Sequence, residues 1–205
     1  MNAPLPVYLV DDDPSVADAC RFLLEGLGYR VHCWISGEAF LDQVALHQPG
    51  CVILDMRMPG LDGDAVRREL LRREATLGMV MLTAHGDIDM AVEAMKQGVV
   101  DFLQKPVNGA ALTRAVSAAH ADSLERYARH CMKQRVAALS PRECEVVDLV
   151  SRGLTNRAIA DALHLAIRTV EVHRANAMQK LAVGNTAELA GLWQQWSAAQ
   201  EGRRD

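Results

Sequence analysis

Along the first 120 residues, short apolar runs alternate with amphipathic stretches. Val7–Val10, Cys51–Leu54, Met79–Leu82 and Val99–Leu103 are four or five residues long. Runs of that length and character predict strands buried on both faces of a parallel sheet. Arg30–Trp34 is a weaker fifth candidate. Between the runs, apolar residues recur at helical spacing. Val16, Ala19, Leu23 and Leu27 fall on one helical face, with Asp13 placed as cap, Pro14 at the first position and Gly28 just past the end. Asp87–Gln97 repeats the pattern and closes on Gly98. Asn108 is placed to cap a further helix that turns Leu112, Ala115, Val116 and Ala119 inward. The alternation predicts five β-α units, hence an α/β doubly wound (βα)5 domain over residues 1–122.

After that the period changes. The helical pattern from Asn108 runs on to about Cys131, and no Gly or Pro interrupts Ala111–Ser140. A break would fall near residues 121–123, and residues 123–138 read as a helical linker. Leu139–Glu143 has the form of a helix start: Ser140 as cap, Pro141 in the first turn, Glu143 closing a capping box. Cys144, Val147, Leu149 and Val150 give that helix an apolar face, and Gly153 ends it. Thr155 can cap the next, which turns Ile159, Ala160 and Leu163 inward. The short connection His164–Ile167 leads into a helix over Arg168–Leu181. Two short helices at a tight turn, with small Ala160 at their crossing, predict a helix-turn-helix, whose second helix enters the major groove of DNA. Residues 139–205 are therefore expected to form an all-α DNA-binding domain.

Charge supports the division. The 205 residues carry a net charge of −4, which taken alone argues against a nucleic-acid partner. Residues 1–122 carry −7, however, and residues 123–205 carry +3. An acidic module joined to a basic one suggests two modules with different partners. No apolar run is long enough to span a membrane, and the first thirteen residues lack the basic and apolar regions of a signal peptide. The five cysteines are widely spaced without a C-x-x-C pair, so reduced, buried thiols in a cytoplasmic protein are expected.

The candidate chemistry lies at the carboxyl ends of the predicted strands, where ligands gather in such sheets. Asp11 and Asp12 follow VYLV, Asp55 follows CVIL, Thr83 follows MVML, and Lys105 follows DFLQ. Three converging carboxylates repel one another, and a hard divalent ion such as Mg²⁺ relieves the repulsion. With the charge relieved, one carboxylate can act as a nucleophile toward a phosphoryl group. The lysine neutralises phosphoryl oxygens. Gly60 and Gly63 allow a tight loop beside Asp55.

These residues carry a family resemblance. Residues 5–120 resemble the receiver domain of two-component response regulators, through VDDD (Val10–Asp13), LDMRMPGLDG (Leu54–Gly63), LTAHGD (Leu82–Asp87) and FLQKP (Phe102–Pro106). The resemblance implies that Asp55 accepts a phosphoryl group. It implies Mg²⁺ held by Asp12, Asp55 and the Arg57 backbone carbonyl, with Asp11 contributing directly or through water. It places Lys105 against the phosphoryl group, ahead of a cis Pro106, and makes Thr83 and Phe102 a hydroxyl–aromatic switch.

Leu139–Leu192 resembles the LuxR-type four-helix DNA-binding domain, through LSPRE (Leu139–Glu143), GLTNRAIADAL (Gly153–Leu163) and RTVEVHRANAMQKL (Arg168–Leu181). By that resemblance Glu171, Val172 and Ala175 face base edges. Arg168, Thr169, His173, Arg174 and Lys180 lie near phosphates or groove walls. Two departures stand out: Ala166 replaces the Ser or Thr that often caps the recognition helix, and Ala175 replaces a basic residue of some members.

The whole chain thus resembles FixJ/NarL-type response regulators. Such a protein is not an enzyme; its implied partners are a sensor histidine kinase, promoter DNA, RNA polymerase and a second copy of itself. Thr83–Val92 resembles the FixJ subgroup, which implies receiver pairing through the face around Asp87–Phe102. Leu189, Leu192, Trp193 and Trp196 share one face of the last helix, which either pairs across a dimer or covers its own core. ACRFLLEGLGY (Ala19–Tyr29) and CVILDMRMPGLDG (Cys51–Gly63) are similar to regulators answering sulfur oxyanions such as tetrathionate. Two rival functions remain open: a receiver that is never phosphorylated and serves for protein contact, and a phosphatase with an aspartyl nucleophile. Position 57, two residues after Asp55, is an arginine and not an added acid, which weighs against the phosphatase.

Overall fold

The computed structural model describes residues 5–84 and 95–201. The chain divides into two compact units, Met1–His130 and Cys131–Asp205.

In the first unit, strands β1 (Pro6–Val10), β2 (Arg30–Trp34), β3 (Cys51–Asp55), β4 (Gly78–Thr83) and β5 (Asp101–Gln104) form one parallel sheet in the order β2-β1-β3-β4-β5. The central strands β3 and β4 are buried at every residue, which is why they read as unbroken apolar runs. Strand β2 lies at the sheet edge with Arg30, His32 and Cys33 exposed, which explains its weaker apolar signal. Strand β5 begins two residues later than Val99. Val99 packs in the core from the approach to the strand, and Val100 donates its amide to Met79 O.

Helices α1 (Pro14–Gly26), α2 (Gly37–Gln43), α3 (Gly63–Arg72) and α4 (Gly109–Ala137) cover the two faces of the sheet. Alternate strand residues feed two cores. Ile53, Val80 and Leu82 pack with α1 and α4, whereas Val52, Leu54, Met79 and Met81 pack with α2 and α3. The methionines at 58, 79 and 81 are core residues.

Helix α1 starts as expected: Asp13 accepts from Ser15 N at 2.8 Å and Pro14 opens the first turn. Its buried face differs. Ala17, Cys20 and Leu24 point inward, while Ala19, Leu23 and Leu27 are exposed. The sequence offers apolar residues at both phases (Ala19 and Cys20, Leu23 and Leu24), and packing on the sheet selects one.

Helix α4 is unbroken through residues 121–123 and continues six residues past Cys131. Asn108 Oδ1 accepts from Ala110 N and Ala111 N at its start. It crosses Gly78 so closely that a Cβ there would overlap the Ala119 carbonyl oxygen. Buried Ser123 then accepts from Gly50 N at 2.9 Å and donates to Thr76 O at 2.6 Å. The helix expected over Asp87–Gln97 lies mostly outside the described residues, as does half of the expected pairing face Asp87–Phe102; Met95 and Lys96 are helical.

The second unit holds α5 (Pro141–Ser151), α6 (Asn156–Leu163), α7 (Ile167–Leu181) and α8 (Thr186–Glu201). The capping box is formed: Glu143 N donates to Ser140 Oγ at 3.2 Å, and Ser140 N to Glu143 Oε2 at 2.7 Å. Val146, Val147, Val150, Ile159, Ala160, Val170, Ala177, Leu181 and Leu189 build the core, with Met132 and Val136 of α4 packed against it. Leu192 and Trp193 also cover this core, whereas Trp196 is half-buried outside that cluster. Among the described residues no helix is long and apolar enough to cross a membrane.

Candidate functional site

Two strand ends bring the acids together, and a third brings the lysine. The β1 ladder carries on through Asp11 N, which donates to Trp34 O, and places the Asp11 side chain in full burial. Asp55 ends β3 and is 6 % exposed, whereas Asp12 faces solvent. Each of the three offers a carboxylate oxygen within 4.8 Å of the other two. Lys105 follows β5, its amide bonded to Thr83 O, and sits at the cis Lys105–Pro106 peptide. Its Nζ lies 2.7 Å from Asp11 Oδ2 and 3.0 Å from Asp55 Oδ1.

One ammonium pairs with two of the three acids here, and burial together with these charges shifts both partners. Burial pushes the Asp55 carboxyl above its ordinary pKa; Lys105 pulls it down, Asp11 pushes it up, and the Arg57 amide pulls it down by hydrogen bonding. Burial works against the Lys105 charge, but Asp11 and Asp55 outweigh it and hold that pKa above the ordinary value. Asp11 Oδ1 accepts from Asp13 N at 3.0 Å, while Oδ2 has the Lys105 charge beside it and no well-directed hydrogen bond. A buried, incompletely satisfied carboxylate oxygen within an all-oxygen donor set fits a hard divalent cation such as Mg²⁺.

The rest of the pocket follows from the strand register. Thr83 ends β4 and is buried. Phe102 lies on the neighbouring strand opposite Met81 and packs half-buried against the core on the α2–α3 side. Gly63 opens α3 directly beneath the nucleophile candidate, where a Cβ would overlap the Asp55 carbonyl oxygen. Gly60 takes φ 75° in the loop between them, a left-handed conformation that glycine adopts without strain.

In the second unit, α6 and α7 meet at a turn where His164 takes φ 54° and Leu165 N donates to Ala160 O at 2.9 Å. Val170, Ala177 and Leu181 of α7 point into the core. Arg168, Glu171, Val172 and Ala175 are exposed on the opposite side, and Thr169 and His173 are half-buried. Arg168 Nη1 lies 3.6 Å from Glu171 Oε2. Two of the expected surface cations are engaged inside the domain instead. Arg174 donates to Asn156 Oδ1 at 3.0 Å and to Thr186 Oγ1, tying α6, α7 and the start of α8 together. Lys180 donates to Glu143 Oε2 at 2.7 Å, so the capping-box acid also anchors α7. Asn156, Thr186 and this second use of Glu143 carry no signal in local spacing, because their partners are 12 to 37 residues away.

Ala166 is the N-cap of α7 and offers no side-chain hydrogen bond to it. Ala166→Ser is therefore expected to stabilise the second unit by ~1 kcal/mol. Urea unfolding of the full chain, followed through its tryptophan fluorescence, measures the gain.

Comparison with known proteins agrees with both units. Residues 7–117 match the response regulator receiver domain, and residues 137–192 match the bacterial regulatory proteins of the luxR family. The tetrathionate response regulatory protein TtrR of Salmonella typhimurium is 51 % identical over 187 residues, spanning 89 % of each chain. The transcriptional regulatory protein FixJ of Azorhizobium caulinodans is 42 % identical over 196 residues, spanning 94 % of this chain and 93 % of its own. The solved structure of the response regulator StyR superimposes with a TM-score of 0.72 at 40 % identity, covering 94 % of this chain and all of that one. The chain belongs to the two-component response regulators that join a receiver domain to a LuxR-type DNA-binding domain. It is a transcriptional regulator of the FixJ/NarL type, and its two domains imply a kinase partner and promoter DNA.

Proposed function

We propose that Asp55 is the phosphoacceptor of this regulator. The observation that carries the reading is the convergence of Asp11, Asp12 and Asp55, two of which, Asp11 and Asp55, share a single ammonium, Lys105. An Asp55 carboxylate oxygen attacks the phosphorus of a sensor kinase's phosphohistidine. The P–O bond forms as the P–N bond breaks, and the imidazole leaves with the electron pair. Asp11, Asp12, Asp55 and the Arg57 carbonyl hold Mg²⁺ in this reading. When bound, the ion supplies positive charge to the phosphoryl oxygens. Lys105 gives up part of its pairing with Asp55 and turns to a phosphoryl oxygen. Thr83 donates to the new phosphate, and Phe102 repacks beside it.

Residues 1–122 act as the receiver, 123–138 as the connector and 139–205 as the DNA reader. The active form is a homodimer joined through the face around Asp87–Phe102, with the last helix as a second contact. It binds operator DNA and engages RNA polymerase in the cytoplasm. Glu171, Val172 and Ala175 meet base edges, and Arg168, Thr169 and His173 meet the backbone. Arg174 and Lys180 reach phosphates only by leaving Asn156, Thr186 and Glu143, so their first role is to position α7. The likeness to the Salmonella protein named for tetrathionate response favours a sulfur oxyanion as the signal.

The full chain incubated with acetyl phosphate and Mg²⁺ is expected to give a retarded band on a Phos-tag gel, and EDTA is expected to remove it. A chain that never shifts overturns the reading in favour of a receiver used for protein contact alone.

A further inference from the structure

Helix α4 is gripped by the receiver at two successive turns. At the first, Ser123 bonds Gly50 and Thr76, at the amino ends of β3 and β4. At the second, Arg126 Nη2 donates to Gly98 O at 2.8 Å while its Nε donates to Asp122 Oδ2 at 2.6 Å. The guanidinium is planar, so a carboxylate on its own helix and a carbonyl across the gap are fixed in one orientation. Gly98 takes φ 88°, and a Cβ there would lie 3.3 Å from Arg126 Nη2 and 3.8 Å from Leu71 Cδ2.

The place of Gly98 gives this contact its meaning. It closes the stretch Asp87–Gln97 and stands three residues before β5, the strand that carries Phe102. Beyond Arg126 the same helix continues to Ala137, and its Met132 and Val136 pack in the core of the second unit. Ser123 holds the helix to strand ends away from the acidic pocket. Arg126 holds it to the segment that adjoins the candidate switch.

We infer that Arg126 is a positioning residue that carries a shift of the Gly98 segment into the connecting helix, with Ser123 as the fixed point. The inference rests on the phosphorylation proposed for Asp55 and adds the route from that event toward the DNA-binding domain. Displacement of the Gly98 carbonyl, as Thr83 and Phe102 rearrange, draws Arg126 with it. The helix beyond then turns or loosens relative to Ser123.

Amide hydrogen exchange on the full chain, with and without acetyl phosphate and Mg²⁺, tests this in two windows: Thr83–Phe102 and Tyr127–Ala137. Phosphorylation is expected to change both in the wild type. Arg126→Met keeps the alkyl stem and removes the donors. It is expected to take the phosphoryl group at a rate within about twofold of wild type and to keep the change in the first window. Its change in the second window should fall to about one-fifth or less. Arg126→Lys, with a single donor nitrogen restored, is expected to recover part of it. A second-window response that survives in Arg126→Met overturns the inference, as does a phosphorylated wild type that shows none. Phosphorylation itself reports that the variant receiver is folded. Should Arg126→Met not fold, Asp122→Ala removes the acceptor of Nε alone and is expected to halve the second-window response; full retention overturns the inference. A wild type without a Phos-tag shift fails at Asp55 instead, and this route falls with it.

Discussion

Asp55→Asn is expected to lose phosphorylation and to gain stability in the same step. The loss follows from the nucleophile: an amide oxygen in place of the carboxylate leaves the phosphorus without an attacking anion. Conversion by acetyl phosphate should drop roughly tenfold or more on a Phos-tag gel. The gain follows from electrostatics. Asp55 sits buried beside Asp11 with only Lys105 between them, and its pKa is raised in the folded state. A raised carboxyl pKa means that the folded state binds the proton more tightly than the unfolded state. Its contribution is therefore present below the unfolded pKa and lost as pH rises through the folded one. The metal-free wild type is thus destabilised by its charged Asp55 at neutral pH, and the Asn variant is not. Its melting temperature should exceed the wild type's by about 2–4 °C at pH 7, with the gap closing in acid. Added Mg²⁺ should narrow the gap by stabilising the wild type more than the variant. A variant less stable than wild type at neutral pH would show that the Lys105 pairing outweighs the repulsion and that the pocket has no charge excess for a metal to relieve.

The second large effect is steric. Gly78→Ala is expected to destabilise the receiver by about 3 kcal/mol or more, measured by urea unfolding of the full chain. The added Cβ would meet the carbonyl oxygen, carbonyl carbon and Cα of Ala119 at once. These are backbone atoms, so no rotamer change relieves the contact. Helix α4 cannot slide away freely either, because Ser123 fixes it to Gly50 and Thr76 one turn further on. Gly26→Ala provides the contrast. A Cβ at Gly26 meets nothing within 4 Å, and the position is helical with no left-handed φ. There the substitution is expected to be neutral or to stabilise by up to about 1 kcal/mol. Equal costs at the two glycines would contradict the close approach of α4 to β4.

Much of this molecule is legible in the order of its residues. Central strands carry unbroken apolar runs because both their faces are covered, so β3 and β4 stand out. The caps at Asp13, Asn108, Ser140 and Thr155 depend on atoms two or three residues away, and spacing alone places them. The acids at the ends of β1 and β3 are visible because a carboxylate directly after a buried strand is costly to place, and its recurrence at two strand ends marks a shared pocket. The missing cap at Ala166 is equally plain.

Other features are settled only when distant segments meet. Both phases of α1 are apolar, and contact with the sheet chooses Ala17, Cys20 and Leu24 over Ala19, Leu23 and Leu27. Where α4 is held against the receiver is decided by Ser123 and Arg126 meeting Gly50, Thr76 and Gly98. Arg174 and Lys180 look like free cations in a basic helix, but Asn156, Thr186 and Glu143 bind them from other helices. Sequence by itself determines what is decided within a few residues: periodicity, caps, turn glycines, and the chemical kind of each strand end. Tertiary structure decides which of several permitted faces is buried and which charges are paired. Those choices depend on distances between residues that the chain order leaves free.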